Sequence, residues 1–333
     1  MRRVLLPHAI SSAPLPAGGA IADYRGTSMG TSWSARVVGG PAGLDLRQAL
    51  QAELDLVVAQ MSHWEAGSDL GRFNRAPAGT WHELPAEFFE VLAFALEVCE
   101  ASGGACDPCA GALVNLWGFG PANRYDEPGF VPPTPAQVQA VLARRAHVRL
   151  DPPTRRAWQP GGLQLDLSAI AKGYAVDRLA LCLERHGSAD YLVEVGGELR
   201  GGGFKPDGQP WWVALEQPAD LPAGDDDIVV ALHGLAIATS GDYRRYFHDA
   251  AGRRPHTIDP RTGMPIDSGI ASVTVVAASC MAADAWSTAL TVLGVEAGLQ
   301  LAERRGLAAR FLTRQGDGTL REATSSAFAA MLD

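Results

Sequence analysis

The sequence predicts an α+β fold in which antiparallel hairpins and packed helices share one large domain. Three observations carry that expectation. Segments with helical apolar spacing dominate the first half, strand-like runs dominate the second, and alternate strand-helix units are too few for a doubly wound parallel sheet. At 333 residues, with 47% hydrophobic and 20% charged side chains, the chain can bury a substantial core, and no internal repeat is visible.

In chain order, residues 44–61 (LDLRQALQAELDLVVAQM) place apolar side chains at helical spacing, and 85–100 (PAEFFEVLAFALEVCE) do the same between Pro85 and Gly103-Gly104. The polar, glycine-rich loop between them carries Trp64 and Phe73. A second loop holds Ala105, Cys106, Asp107 and Cys109, and a proline-rich connector from Pro121 to Pro135 leads into a short helix with Thr134 as its cap. HVRLD and RRAWQ read as paired strands. Further strands are expected at 189–195, 211–216, 228–233 and 272–277, with helices at 170–186, 281–293 and 295–305.

The formal net charge of −9 opposes a nucleic-acid surface, which needs a basic stripe. An acidic protein that handles phosphate must draw local positive charge from a helix N-terminus, a lysine or a metal. No apolar run approaches the roughly 18 residues of a transmembrane helix. Residues 1–20 have a basic tip, but their apolar stretch is short and broken by Pro7, so they read as a weak leader or a disordered segment preceding a domain over 21–333. No cysteine near the start could accept a lipid. Five cysteines cannot all pair within the chain, which leans towards a reducing compartment. Cys106 and Cys109 form CDPC, which lacks a second CxxC to complete a zinc site and reads as a thiol pair of no catalytic importance.

Four stretches carry candidate chemistry. In MAADAWSTAL (281–290), Asp284 and Thr288 are four apart, so on a helix they share a face and could offer two hard oxygens to Mg²⁺; a solvated Asp284 and a Thr288 bonded back to a carbonyl explain the spacing too. In LQLDLSAIAKGYAVDRLA (163–180), Ser168 stands where an N-cap belongs, with Asp166 before it and Lys172 in the first turn. A phosphate there would meet both helix dipole and charge. Gly173 inside the helix costs roughly 1 kcal/mol and signals a close approach by another group. In EVGGELRGGG, Gly196 and Gly197 fit either a tight hairpin or an approaching ligand. His256, between Pro255 and Asp259, fits either a general base or a histidine satisfied by a backbone carbonyl.

Eight ordered blocks spanning about 270 residues then resemble one family, the FAD:protein FMN transferases or ApbE family. They are SMGTSW, MSHWEAGSDLGRFN, ACDPCAGALVNLWGFG, LDLSAIAKGYAVDRLA, YLVEVGGELRGGG, ATSGDYRRYF, HTIDPRTGMPI and SVTVVAASCMAADAWSTALTVLG. The resemblance implies a T-fold-related architecture in which two intimately packed mixed parts enclose FAD as substrate, with Mg²⁺ near the pyrophosphate. By position it gives Asp284, Thr288 and the carbonyl of Ala169 to the metal. Met29, Trp64, Ala105, Cys106, Asp107, Asp166, Lys172 and Ile258 fall to FAD, and His256 to the base. The implied activity is transfer of FMN to a serine or threonine hydroxyl of an acceptor flavoprotein, with AMP released. The implied acceptors are a subunit of a redox complex or a flavin-dependent reductase. The family pattern departs at Cys106, where an aromatic wall is lost, and at Trp64. Three alternatives share some of these residues: a Mg²⁺-dependent FAD pyrophosphatase, a non-catalytic FAD-binding or delivery protein, and an oxidoreductase using CDPC. The family suggests a periplasmic setting, whereas the weak leader and odd cysteine count point to the cytoplasm.

Overall fold

A computed structural model describes residues 3–7, 19–40, 45–218, 228–249 and 252–333. Its centre is an eight-stranded sheet built from β1 (Ile21–Ser28), β2 (Thr31–Val38), β3 (Tyr191–Val195), β4 (Glu198–Gly202), β5 (Leu235–Gly241), β6 (Ile270–Ala277), β7 (Ala308–Arg314) and β8 (Leu320–Thr324). Each strand pairs antiparallel with its neighbours in chain order, so the sheet is a meander. In such a meander the connections β1–β2, β3–β4 and β5–β6 all leave at the same end. That end holds the candidate site.

Four long helices accompany the sheet: α1 (Leu46–Met61), α2 (Ala86–Ala101), α3 (Ala171–Arg185) and α4 (Cys280–Arg305). α3 and α4 pack on one sheet face and on each other, with α1 against α3. The period of two in a strand explains the division of the core. Ala236, Ala238, Val273 and Val275 face the helices, while Ile237 and Val276 face a second apolar cluster. That cluster lies under a three-stranded sheet of Arg3–Leu5, Ile228–Leu232 and Trp211–Ala214. With both faces covered, β6 is buried at all but its last residue, its Ser272 and Thr274 included, in place of an alternation of buried and exposed positions. A third cluster of Leu113, Trp117, Phe119, Val138 and Ile258 joins the 105–120 segment, expected as a loop but helical over Gly111–Leu116, to the 256–266 segment.

The expected helices at 281–293 and 295–305 are the two halves of α4, separated at Gly294, whose φ of 80° and ψ of 174° are not helical. The helix expected at 44–61 runs from Leu46; residue 44 lies outside the described residues. Thr134 caps its short helix in a reciprocal pair with Gln137. Part of the 1–20 segment, expected as a leader or disordered, instead forms a strand: Arg3–Leu5 pairs parallel with Ile228–Val230, and Leu5 is fully buried. Its apolar side chains complete the core beneath the small sheet. Residues 1–2 and 8–18 of that segment lie outside the described residues. Among the described residues no helix is long and apolar enough to cross a membrane.

Phe311 of β7 is fully buried, and its ring fills the space left by Gly298 of α4. Phe311→Ala is therefore expected to cost about 3–5 kcal/mol by urea unfolding. A loss below about 1 kcal/mol would mean that the helix does not rest on this ring.

Candidate active site

α3 and α4 cross at Gly173, where an added Cβ would lie 2.3 Å from the carbonyl oxygen of Cys280 and 2.7 Å from Cβ of Asp284. The close approach that this glycine signals is thus made by a neighbouring helix. The missing side chain lets Gly173 N–H donate to Asp284 Oδ2 at 2.9 Å. Asp284 is 4% exposed and faces the cleft. Burial raises its pKa, opposed by Lys172 and by the Gly173 N–H. Thr288, one turn along α4, lines the same cleft and shares a 2.9 Å hydrogen bond with Ser240 Oγ, so it does not bond back along its own helix there.

Ser168 is not the N-cap of α3. The helix starts at Ala171 with Ile170 in the cap position and no side-chain cap, while Ser168 N–H donates to Asp166 Oδ1 at 2.7 Å. The Asp166 carboxylate has closed a local turn before the helix begins. The first carbonyl in the helical ladder is that of Ile170, which accepts from Tyr174 N–H. Ala169 therefore stands just outside the ladder, and its residue lines the cleft beside Asp284 and Thr288. A carbonyl, a carboxylate and a hydroxyl form an all-oxygen set, the chemistry that suits Mg²⁺ rather than zinc.

The cleft has a volume of about 340 Å³. It gathers Met29, Ala105, Cys106, Asp107, Asp166, Ala169, Lys172, His256, Ile258, Asp284 and Thr288, which is every residue the family resemblance gives to the metal, FAD or base except Trp64. Trp64 lines an adjoining chamber of about 610 Å³ that shares Met29, Ser168, Lys172 and Arg245 with the first. Its ring, 40% exposed, has the Arg124 and Arg245 guanidinium groups 5.5 and 5.9 Å from its centroid. Met29 sits at the tip of the β1–β2 hairpin with φ 53°, a left-handed conformation costly for a side chain of its size.

His256 donates no bond to Asp259, whose carboxylate is taken by Arg261. Its Nδ1 instead meets the Arg245 carbonyl at 3.1 Å. A carbonyl only accepts, so Nδ1 carries the proton and Nε2 keeps its lone pair. Burial lowers the pKa to about 4, with that carbonyl pulling the other way and nearby cations adding to the fall. The imidazole is consequently neutral at physiological pH.

Sequence reasoning missed Glu198, which is 2% exposed, lines the cleft and forms an ion pair with Lys172. Burial, with a push from Asp284, raises it to about 7 against the pull of Lys172. For Lys172, burial favours the neutral amine, but Asp284 and Glu198 overcome it and hold the pKa above the usual lysine range. The usable signal was the glycine pair before Glu198: both have positive φ, 60° and 101°, and they turn the β3–β4 hairpin at the cleft end of the sheet.

All five cysteines are free. Burial pushes the Cys106 and Cys109 thiols far above their ordinary range, so neither offers a thiolate. Ligand atoms of Asp107, Cys109 and His147 lie within 4.8 Å of one another. There Arg145 already forms an ion pair with Asp107 Oδ2, and Asp107 Oδ1 accepts the Cys109 N–H at 2.7 Å. A cation's place beside that carboxylate is filled by a guanidinium.

The profile of the ApbE family matches residues 29–311. A Haemophilus influenzae protein called FAD:protein FMN transferase is 36% identical over 314 residues, covering 90% of this chain and 89% of its own length. One of the same name from Salmonella typhimurium is 37% identical over 300 residues, covering 88% and 84%. Among solved structures, the Pseudomonas stutzeri flavinyl transferase ApbE in its apo form superposes with a TM-score of 0.85 at 38% identity, covering 94% of this chain and 97% of its own. The Vibrio cholerae flavin transferase ApbE gives 0.84 at 34%, covering 94% and 99%. This chain is an enzyme of a mixed α+β fold. It belongs to the ApbE family.

Two measurements test this geometry. Gly173→Ala forces two backbones apart and is expected to cost about 1–3 kcal/mol by chemical unfolding; an unchanged midpoint would contradict the close crossing. His256 is expected to titrate near 4 in an NMR pH series. An unfolded imidazole takes up its proton near 6.5, so the folded state's advantage from this residue is complete above that pH and declines as pH falls towards 4. Titration at 6.5 or higher would remove the account based on burial.

Proposed function

We propose that this protein transfers FMN from FAD to a serine or threonine hydroxyl of another protein, releasing AMP in a Mg²⁺-dependent reaction. The observation that carries this reading is one cleft in which the oxygens of Ala169, Asp284 and Thr288 stand with Lys172 and a neutral His256. The family to which the chain belongs, and relatives named for this transfer, support it.

In this reaction the acceptor oxygen forms a bond to the phosphorus on the FMN side of the pyrophosphate, and the bond from that phosphorus to the bridging oxygen breaks, so that AMP leaves with the electron pair. Nε2 of His256 takes the hydroxyl proton, a general-base role worth about 10²–10⁴ in rate. Nδ1–H, held by the Arg245 carbonyl, keeps the ring in the tautomer this requires. Lys172, fixed by Glu198 at the start of α3, faces the developing negative charge together with the N–H groups of that helix end. A Mg²⁺ ion held by Asp284, Thr288 and the Ala169 carbonyl would supply Lewis-acid stabilisation of the same charge. Met29 and Lys172 border both chambers, which lets an extended dinucleotide lie across the two with Trp64 at one end.

The test is to incubate the protein with FAD, Mg²⁺ and a flavin-acceptor domain, then weigh both chains intact. The acceptor is expected to gain one FMN less water, with one AMP formed per label, and Asp284→Ala is expected to slow this by at least about 10²-fold. Free FMN with an unlabelled acceptor would make the protein a pyrophosphatase. Full activity in Asp284→Ala would overturn the metal assignment.

A further inference from the structure

The cations around the cleft are nearly all matched before any ligand arrives. Arg145 is paired with Asp107, and Arg244 holds Glu216 while donating to the Gly196 carbonyl at 2.6 Å. Lys172, the one lysine lining the cleft, is paired with Glu198. Arg245 alone among the lining cations has no hydrogen-bonded carboxylate among the described residues, and it lies exposed at the rim against Trp64. Among the described residues, two carboxylates inside, Asp284 and Asp166, have no Lys or Arg within ion-pair distance; Lys172 acts on Asp284 from farther off, and Asp166 has His63 at 3.7 Å. The interior of the metal-free cleft is therefore negative.

Glu198 decides this balance. One oxygen takes the Lys172 ammonium, while the other, Oε2, is buried with no hydrogen-bond partner among the described residues, in a residue that is 2% exposed. Leaving a carboxylate oxygen buried and unsatisfied is costly, and a mere anchor for Lys172 would not require it. Without the charge of Glu198, Lys172 would lose its ion-pair partner and would meet a bound phosphate with only the more distant pull of Asp284 against it. With it, the doubly negative pyrophosphate enters a site whose only interior ammonium is already neutralised.

We infer that Glu198 makes FAD uptake conditional on the divalent cation: by cancelling Lys172 it keeps the metal-free cleft closed to pyrophosphate, and the cation restores the attraction. This rests on the proposed FAD and Mg²⁺ function and adds an order to it, metal before or with dinucleotide. The order keeps FAD from occupying a site that lacks the means to react. In thermodynamic form, Glu198 sets the coupling between two ligands.

The test is FAD titration of the apo protein at pH about 8, above the raised value of about 7 for Glu198, in EDTA and in saturating Mg²⁺. Wild type, Glu198→Gln and Glu198→Ala are compared, with thermal unfolding of each to establish that the variants fold. Wild type is expected to bind FAD at least about tenfold more tightly with Mg²⁺ than without. In Glu198→Gln, whose amide oxygen still reaches Lys172 but carries no charge, FAD affinity in EDTA is expected to rise about tenfold and the Mg²⁺ effect to shrink correspondingly. Glu198→Ala should show the same shift if charge is responsible. A folded Glu198→Gln with an undiminished Mg²⁺ effect, or weaker FAD binding in EDTA, would overturn the inference while leaving the proposed function standing. No FAD binding by the wild type under either condition would instead remove the function on which it rests.

Discussion

The site depends on the contact between two backbones at Gly173. Because that residue has no side chain, α3 lies close enough to α4 for its N–H to reach the carboxylate of Asp284, a residue 111 positions away in the chain. One hydrogen bond thereby fixes the register of the two helices. Ala169 and Lys172 on α3's side, and Asp284 and Thr288 on α4's, are then held in a common cleft by elements too well packed to drift. A glycine that weakens an isolated helix strengthens the assembly here, because what it permits between helices outweighs what it costs within one.

The meander sheet gives that crossing its platform. Its central strands β5 and β6 are covered on both faces, by helix on one and by the small sheet's cluster on the other, so they are fixed from two sides. Antiparallel order brings the turns at Met29, at Gly196-Gly197 and after Gly241 to one end, where they complete the wall of the cleft. The left-handed backbone of Met29 belongs to the same economy: a tight hairpin would accept glycine or asparagine more easily, and the side chain kept there borders both chambers.

Electrostatics then separates structural from reactive groups. Asp107 is locked by Arg145 and the Cys109 N–H, Asp259 by Arg261, and the cysteines are held as thiols by burial. These groups are committed to partners within the fold. What remains responsive is small: the buried trio Lys172, Glu198 and Asp284, whose charges act on one another, and the neutral imidazole of His256.

Local pattern alone determined a good part of this protein. Apolar spacing located α1, α2, α3 and α4, a continuous valine-rich run located β6, and the four-residue interval between Asp284 and Thr288 put both on one helix face, which the structure turns into the cleft. The ordered motif blocks pointed to the ApbE family, with whose solved members the fold agrees. Strands β1, β2, β4, β5, β7 and β8 were not among those expected, because a strand's stability resides in partners distant in the chain and short mixed runs carry little signal of their own. The cap assigned to Ser168 failed because the Ile170 and Ala171 N–H groups it would accept donate to the Leu167 carbonyl, while its own N–H is drawn to Asp166. Glu198 escaped notice for a related reason: in sequence it is one acidic residue after a turn, and only folding buries it against Lys172, 26 positions away. Residue type and spacing are written in the chain. Burial and charge pairing, which give those residues their chemistry, come into being only when distant segments meet.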